Sequence, residues 1–181
     1  MKSFSIASIV LLLSTAACLA QEMPEMPKPQ KEHAWLEQFA GEWDTETEIK
    51  APDQPVMNVK GEDSSRMVGG FWLVTENKGK MMDTPFTGIM TLGYDPKSKK
   101  YVGTWVDSMS DTLWNYNGTA EGNKLTLDAK GPCPMRPGEI VNFKETLEIK
   151  DDGKKVFTSS IQEKDGSWTK MITATSTRKK K

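Results

Sequence analysis

From Gly41 onward the sequence keeps a rhythm of two, and that rhythm excludes most folds. In Trp43-Asp44-Thr45-Glu46-Thr47-Glu48-Ile49-Lys50, charged residues alternate with uncharged ones. Successive side chains of a strand point to opposite faces, so such a segment has one wet face and one covered face. The same reading predicts strands over 56–66, 71–77, 85–93, 100–108 and 112–119, then over 124–129, 140–150, 155–162 and 167–176. Turn signals separate nearly all of them: Pro52-Asp53, Gly69-Gly70, Asp95-Pro96, Glu121-Gly122-Asn123, Asp151-Asp152-Gly153 and Asp165-Gly166. About ten strands with no second long helix predict an all-β class, a single antiparallel up-and-down β-barrel. Closure is expected because an open meander leaves two unpaired edges. Only 131–138, with its three prolines, reads as a substantial irregular loop.

One short helix is predicted ahead of the strands, over Glu32 to Ala40, with Gly41 as its stop. Trp35, Leu36 and Phe39 share one side of it. A helix of about two turns is unstable alone in water, so it is expected to dock on the barrel and close one end. His33, at its start, is the only histidine in the chain. That count excludes a three-histidine metal site, and any serine–histidine–aspartate arrangement must use His33. A local hydrogen-bonding role is the expectation for it.

The first 20 residues read as a signal peptide. Lys2 supplies a positive start, Ile6 to Leu13 an apolar run, and Cys18-Leu19-Ala20 the small residues before cleavage. The run is too short for an ordinary spanning helix, which needs roughly 20 apolar residues. A periplasmic or secreted location is therefore expected, with lipid anchoring at Cys18 as the alternative. Residues 21–31, with three prolines, read as an extended linker. The barrel domain is expected over 32–178 and a basic tail over 179–181. No other segment is apolar enough to form a transmembrane helix.

If Cys18 leaves with the signal, Cys133 stands alone and no intrachain disulfide forms, so the core must hold the domain. Charge narrows the partners. Of the 24 basic residues, Lys2 and the four of Arg178 to Lys181 lie outside the body. That leaves 19 against 25 acidic residues, a charge of about −6, which argues against nucleic acid as a partner. Oligomeric state is not legible.

Two resemblances sharpen the fold. The helix followed by Gly41-Glu42-Trp43 resembles the start of lipocalins and the wider calycins, where a Gly-x-Trp opens the first strand. That resemblance implies that Trp43 packs beneath a basic side chain from the end of the last strand, a part that Arg178 fits. Gly41, Trp43 and Arg178 are thus expected to be structural. A wider set of motifs is similar to the bacterial domain-of-unknown-function family 1579. It comprises His33-Ala34-Trp35-Leu36, Gly41-Glu42-Trp43, Gly70-Phe71-Trp72-Leu73-Val74, Gly93-Tyr94-Asp95, Tyr101 to Met109 and Gly131-Pro132-Cys133-Pro134-Met135. The resemblance implies a calycin-like barrel and brings no activity, substrate or catalytic residue.

Phase alone nominates the interior. In Val141 to Ile149 the apolar phase is Val141, Phe143, Leu147 and Ile149, and Glu145 falls within it. A buried carboxylate is costly without a partner or water. Asp107 shares a face with Trp105, and Trp114 pairs in phase with Tyr116. The candidate ligand site is a cavity walled by Trp72, Trp105, Trp114, Tyr116 and Phe143, with Asp107, Glu145 and Arg66 orienting a small apolar or amphipathic molecule. Two alternatives stand beside this binding protein: an enzyme using Asp107 and Glu145 as an acid/base pair, and a filled barrel acting through its surface. No phosphate loop, metal cluster or nucleophile elbow appears in the sequence, so no cofactor is expected and no residue is assigned a catalytic role.

Overall fold

A computed structural model describes residues 25–52 and 54–180. The signal peptide expected over 1–20, and Cys18 within it, lie outside these residues. Residues 25–30 of the expected linker carry no regular structure. Among the described residues, no helix is long and apolar enough to cross a membrane.

Ten strands follow one another around a closed antiparallel barrel. They are β1 (Gly41–Ile49), β2 (Met57–Val68), β3 (Trp72–Met81), β4 (Thr84–Asp95), β5 (Lys100–Asp107), β6 (Trp114–Glu121), β7 (Lys124–Pro132), β8 (Ile140–Ile149), β9 (Lys155–Gln162) and β10 (Trp168–Arg178). Each strand pairs with its sequence neighbours, and β1 closes the ring by pairing with β10, Trp43 opposite Arg178 and Ile49 opposite Ile172. All ten expected strands are present, and closure leaves no strand edge unpaired. The irregular loop is shorter than expected. β7 continues through Gly131 and Pro132, with Pro132 at the strand end, where a missing N–H does least harm.

The helix differs from its expectation in one respect. It begins as α1 (Lys31–Trp35) and tightens into a 3₁₀ turn over Leu36–Phe39, closed by the Ala40 N–H on the Glu37 carbonyl. A turn of three residues superposes positions i and i+3, so Leu36 and Phe39 point the same way. Both are buried, at 0% and 1% exposure, and plug the barrel end. Full burial of side chains this size stabilises the docking by about 1.5–3 kcal/mol each. His33 accepts a hydrogen bond at Nδ1 from the Gln30 N–H (2.9 Å) and packs edge-on against Phe71 and Tyr94.

The barrel interior is uneven. Leu92, Tyr116, Leu125, Leu127 and Phe143, on β4 and β6–β8, pack into a continuous apolar core. The sector built by β1–β3, β9 and β10 instead buries Thr45, Asp63, Ser65, Thr75, Lys155, Ser159 and Ser176. In β10 the pairing slips at Met171, so Met171 is an extra buried residue and Ile172, Ala174 and Ser176 continue the inward phase.

Trp43, with no exposed surface, joins the plug to this polar sector. Its indole N–H donates to the Phe39 carbonyl at 3.1 Å. The Arg178 guanidinium lies 4.1 Å from the ring centroid and donates to the carbonyls of Ala40 and Gln38. Gly41 makes room for that stacking. Its φ is +126°, and a Cβ there would stand 2.3 Å from Arg178 Nη1. Beyond Arg178 the basic tail is not wholly free: Lys179 pairs with Glu62 (2.6 Å) and Asp44 (3.6 Å).

Candidate functional site

A part-open cavity of about 200 Å³ occupies the polar sector. Its long walls are apolar, with Ile49, Val59, Met90, Leu147, Phe157 and Ile172 among them. Phe39 lines one end, and Met81 and Phe86 from the β3–β4 hairpin line the other. Trp105 lies against the β4 wall at Gly88, where a Cβ would stand only 2.1 Å from the indole. The ring stacks with Phe86 at 6.2 Å, and its N–H donates to Asp107 Oδ2 at 2.8 Å.

Two opposite charges line the same space. Lys155 Nζ is 2.9 Å from Asp63 Oδ2, with the two side chains only 6% and 11% exposed. Pleat alternation explains both placements. Asp63 follows Val59 and Gly61 in the inward phase of β2, and Lys155 precedes Phe157, Ser159 and Ile161 in that of β9. Asn77 donates its side-chain N–H to Asp63 Oδ1, and Ser176 makes a long contact to Oδ2 at 3.5 Å. Ser176 also bonds to Thr45 (2.8 Å). The ammonium sits 4.7 Å from the Trp43 ring centroid, on an indole that also carries Arg178. Burial pulls the Lys155 pKa below the usual lysine range, while the Asp63 carboxylate opposes that shift. A buried pair is stable only with such geometry, because desolvation of each ion costs on the order of several kcal/mol.

Glu145 is a separate polar group in the barrel wall. It is 8% exposed and accepts a hydrogen bond from Ser159 at 3.2 Å. Its Oε2 has no partner among the described residues. Burial pushes its pKa up to about 7, against the lowering effects of Tyr116 and Ser159. Burial also raises the Tyr116 phenol, with the Glu145 charge adding to the effect.

Of the eight residues proposed from sequence to form the pocket, Trp105 lines this cavity. Tyr116, Phe143 and Glu145 are buried but belong to the inward rows of β6 and β8, outside the cavity wall. Trp114 is partly buried, lies over Gly131 and meets Phe143 edge-on at 4.9 Å. Asp107 ends β5, held by the Trp105 indole and the Met109 N–H. Two placements need correction. Arg66 is exposed, because Asp63 and Ser65 take the inward phase of β2 and put it on the outer wall. Trp72 is 43% exposed for the same reason, beside inward Leu73, and its ring covers Gly93 from outside.

The residues that sequence reasoning missed are Asp63, Lys155, Ser176 and Thr45. Their signal was phase: each occupies an inward position of its strand, as Glu145 does. Among the described residues no group of histidine, cysteine, aspartate and glutamate is arranged to hold a metal ion.

Comparison with solved structures agrees with the barrel. The chain is similar to Rv2717c from M. tuberculosis, with a TM-score of 0.58 and 11% identity, over 84% of this chain and 100% of that one. It is also similar to the S-type phycobiliprotein lyase CPES from Guillardia theta, with a TM-score of 0.52 and 12% identity, over 84% of this chain and 99% of that one. At such identities the likeness is one of fold. No curated protein matches the sequence. The match that carries identity is to a family, it spans residues 28–178 and so includes the plug and all ten strands, and by it this chain belongs to the family described as "Protein of unknown function (DUF1579)".

Proposed function

We propose that this chain is an exported binding protein that holds a small apolar or amphipathic molecule, non-covalently, inside its barrel. The observation that carries the reading is the cavity itself: apolar along its walls, part-open, and furnished with one buried polar cluster. Apolar walls supply most of the affinity of such a site, and a few placed polar groups orient the guest. The volume of about 200 Å³ is below the range of roughly 300–1,000 Å³ usual for drug-sized ligands, so the guest is small or slender. A lyase for phycobiliproteins stands among the barrels of similar fold, which is consistent with a small-molecule partner. Export is supported by Lys2, the apolar run Ile6 to Leu13 and the small residues up to Ala20.

The enzyme alternative draws no support from this geometry. Neither Asp107 nor Glu145 lines the cavity, so the two carboxylates have no substrate space in common there. Native mass spectrometry of protein purified from its own host tests the binding reading. A retained small molecule, lost when Ala174→Phe fills the cavity, is the expected result. Protein that is empty in repeated preparations, and that takes up no apolar probe, would refute it.

A further inference from the structure

Resting on the proposed binding function, we infer that the Asp63–Lys155 pair selects a neutral, hydrogen-bonding head group, such as a hydroxyl or amide, and discriminates against both carboxylate and ammonium heads. The argument begins with what the pair offers a guest. Both residues line the cavity, their charges are 2.9 Å apart, and neither side chain is more than 11% exposed. Each therefore neutralises the other at close range and in poor contact with water. A carboxylate approaching Lys155 also meets Asp63, and an ammonium approaching Asp63 also meets Lys155. Either guest must shed its own hydration for a site that carries no net charge, which is costly for an ion and far less so for a neutral polar group.

One further charge reaches the pair: Arg178, on the same Trp43 indole, repels the Lys155 ammonium. That guanidinium is exposed to solvent and engaged with backbone carbonyls, so its field at the buried pair is screened and the pair's own two charges dominate what a guest meets. At the rim, Glu62 pairs with Lys179, and Lys78 pairs with Glu76. These are exposed and screened pairs.

The pair also leaves capacity for a neutral head. An ammonium has three N–H donors. Asp63 takes one from Lys155, and one side of the ammonium faces the Trp43 ring. Asp63 Oδ1 holds Asn77, while Oδ2 holds Lys155 and only a long contact from Ser176. A hydroxyl both donates and accepts, so it can take an N–H from Lys155 and return its own proton to the Asp63 carboxylate. The apolar walls then receive the chain attached to it.

The test is a calorimetric comparison of four guests of one chain length with the purified protein at neutral pH: 1-octanol, 1-chlorooctane, octanoate and octylamine. Octanol is expected to bind tightest. Its margin over chlorooctane should be about tenfold, the size of one net hydrogen bond. A cavity that is merely apolar would place chlorooctane first, so the wild-type ranking already decides. Octanoate or octylamine binding as tightly as octanol would overturn the inference while leaving the cavity as a ligand site. No binding by any of the four would remove the cavity reading, and the inference with it. Asp63→Asn is expected to raise the standing of octanoate, and Lys155→Met that of octylamine. With chlorooctane binding, which does not draw on the pair, as the check that each variant keeps its cavity, an unchanged order in both variants would overturn the assignment to this pair.

Discussion

Glu145→Gln makes a direct test of how the barrel treats a buried acid. In the folded chain the Glu145 pKa is raised from 4.5 to about 7, first by burial, with Tyr116 and Ser159 pulling the other way. The folded state therefore holds a proton that the unfolded state has already lost over the window from about pH 4.5 to pH 7. Stability from this group is fully present below the unfolded pKa and falls as pH rises through the folded one. Working the linkage through gives a penalty of about 0.8 kcal/mol at pH 5 and about 3.3 kcal/mol at pH 8, a difference of about 2.5 kcal/mol. Glutamine keeps the acceptor for Ser159 and cannot ionise, so it removes the pH-dependent part. Urea unfolding of the two proteins at pH 5 and pH 8 measures the effect. Relative to wild type, the variant should gain about 2.5 kcal/mol more at pH 8 than at pH 5. The fixed cost of the amide cancels in that double difference. A double difference within about 0.5 kcal/mol of zero, given linear extrapolation, would show that Glu145 is not a buried acid of raised pKa and would refute the reasoning.

Other perturbations test other parts of the interior. Lys155→Ala leaves Asp63 buried without its cation and should cost about 3–5 kcal/mol in urea unfolding; replacing both partners, Asp63→Leu with Lys155→Met, should recover most of that loss. Ala174→Phe, aimed into the cavity from β10, should abolish binding of a neutral apolar probe with little loss of Tm, because it fills space rather than opening it. Gly41→Ala should lower stability by more than about 1 kcal/mol, since it strains a φ of +126° and collides with the Arg178 guanidinium; thermal unfolding reads it directly. For export, N-terminal sequencing of the protein from the host's extracytoplasmic fraction should begin at Gln21. A palmitate label at Cys18 would replace signal cleavage with lipid anchoring.

Sequence by itself determined the fold, because a period of two is a local property. Trp43 to Ile49 shows one wet and one covered face whatever it packs against, and Gly-rich turns between such runs force the chain back alongside itself. The same locality placed Glu145 inward from its neighbours Phe143 and Leu147 alone. It also held the means to find Asp63 and Lys155, whose inward phase is as regular, but not their partnership. They lie 92 positions apart, on β2 and β9, and meet across an interior whose closure is a property of the whole ring. Which half of that interior is filled and which is hollow is likewise tertiary. Phase gives Tyr116 and Phe157 the same inward direction. Only the packed barrel puts the first into solid core and the second on a cavity wall, because a void is fixed by the volumes of side chains from many strands at once.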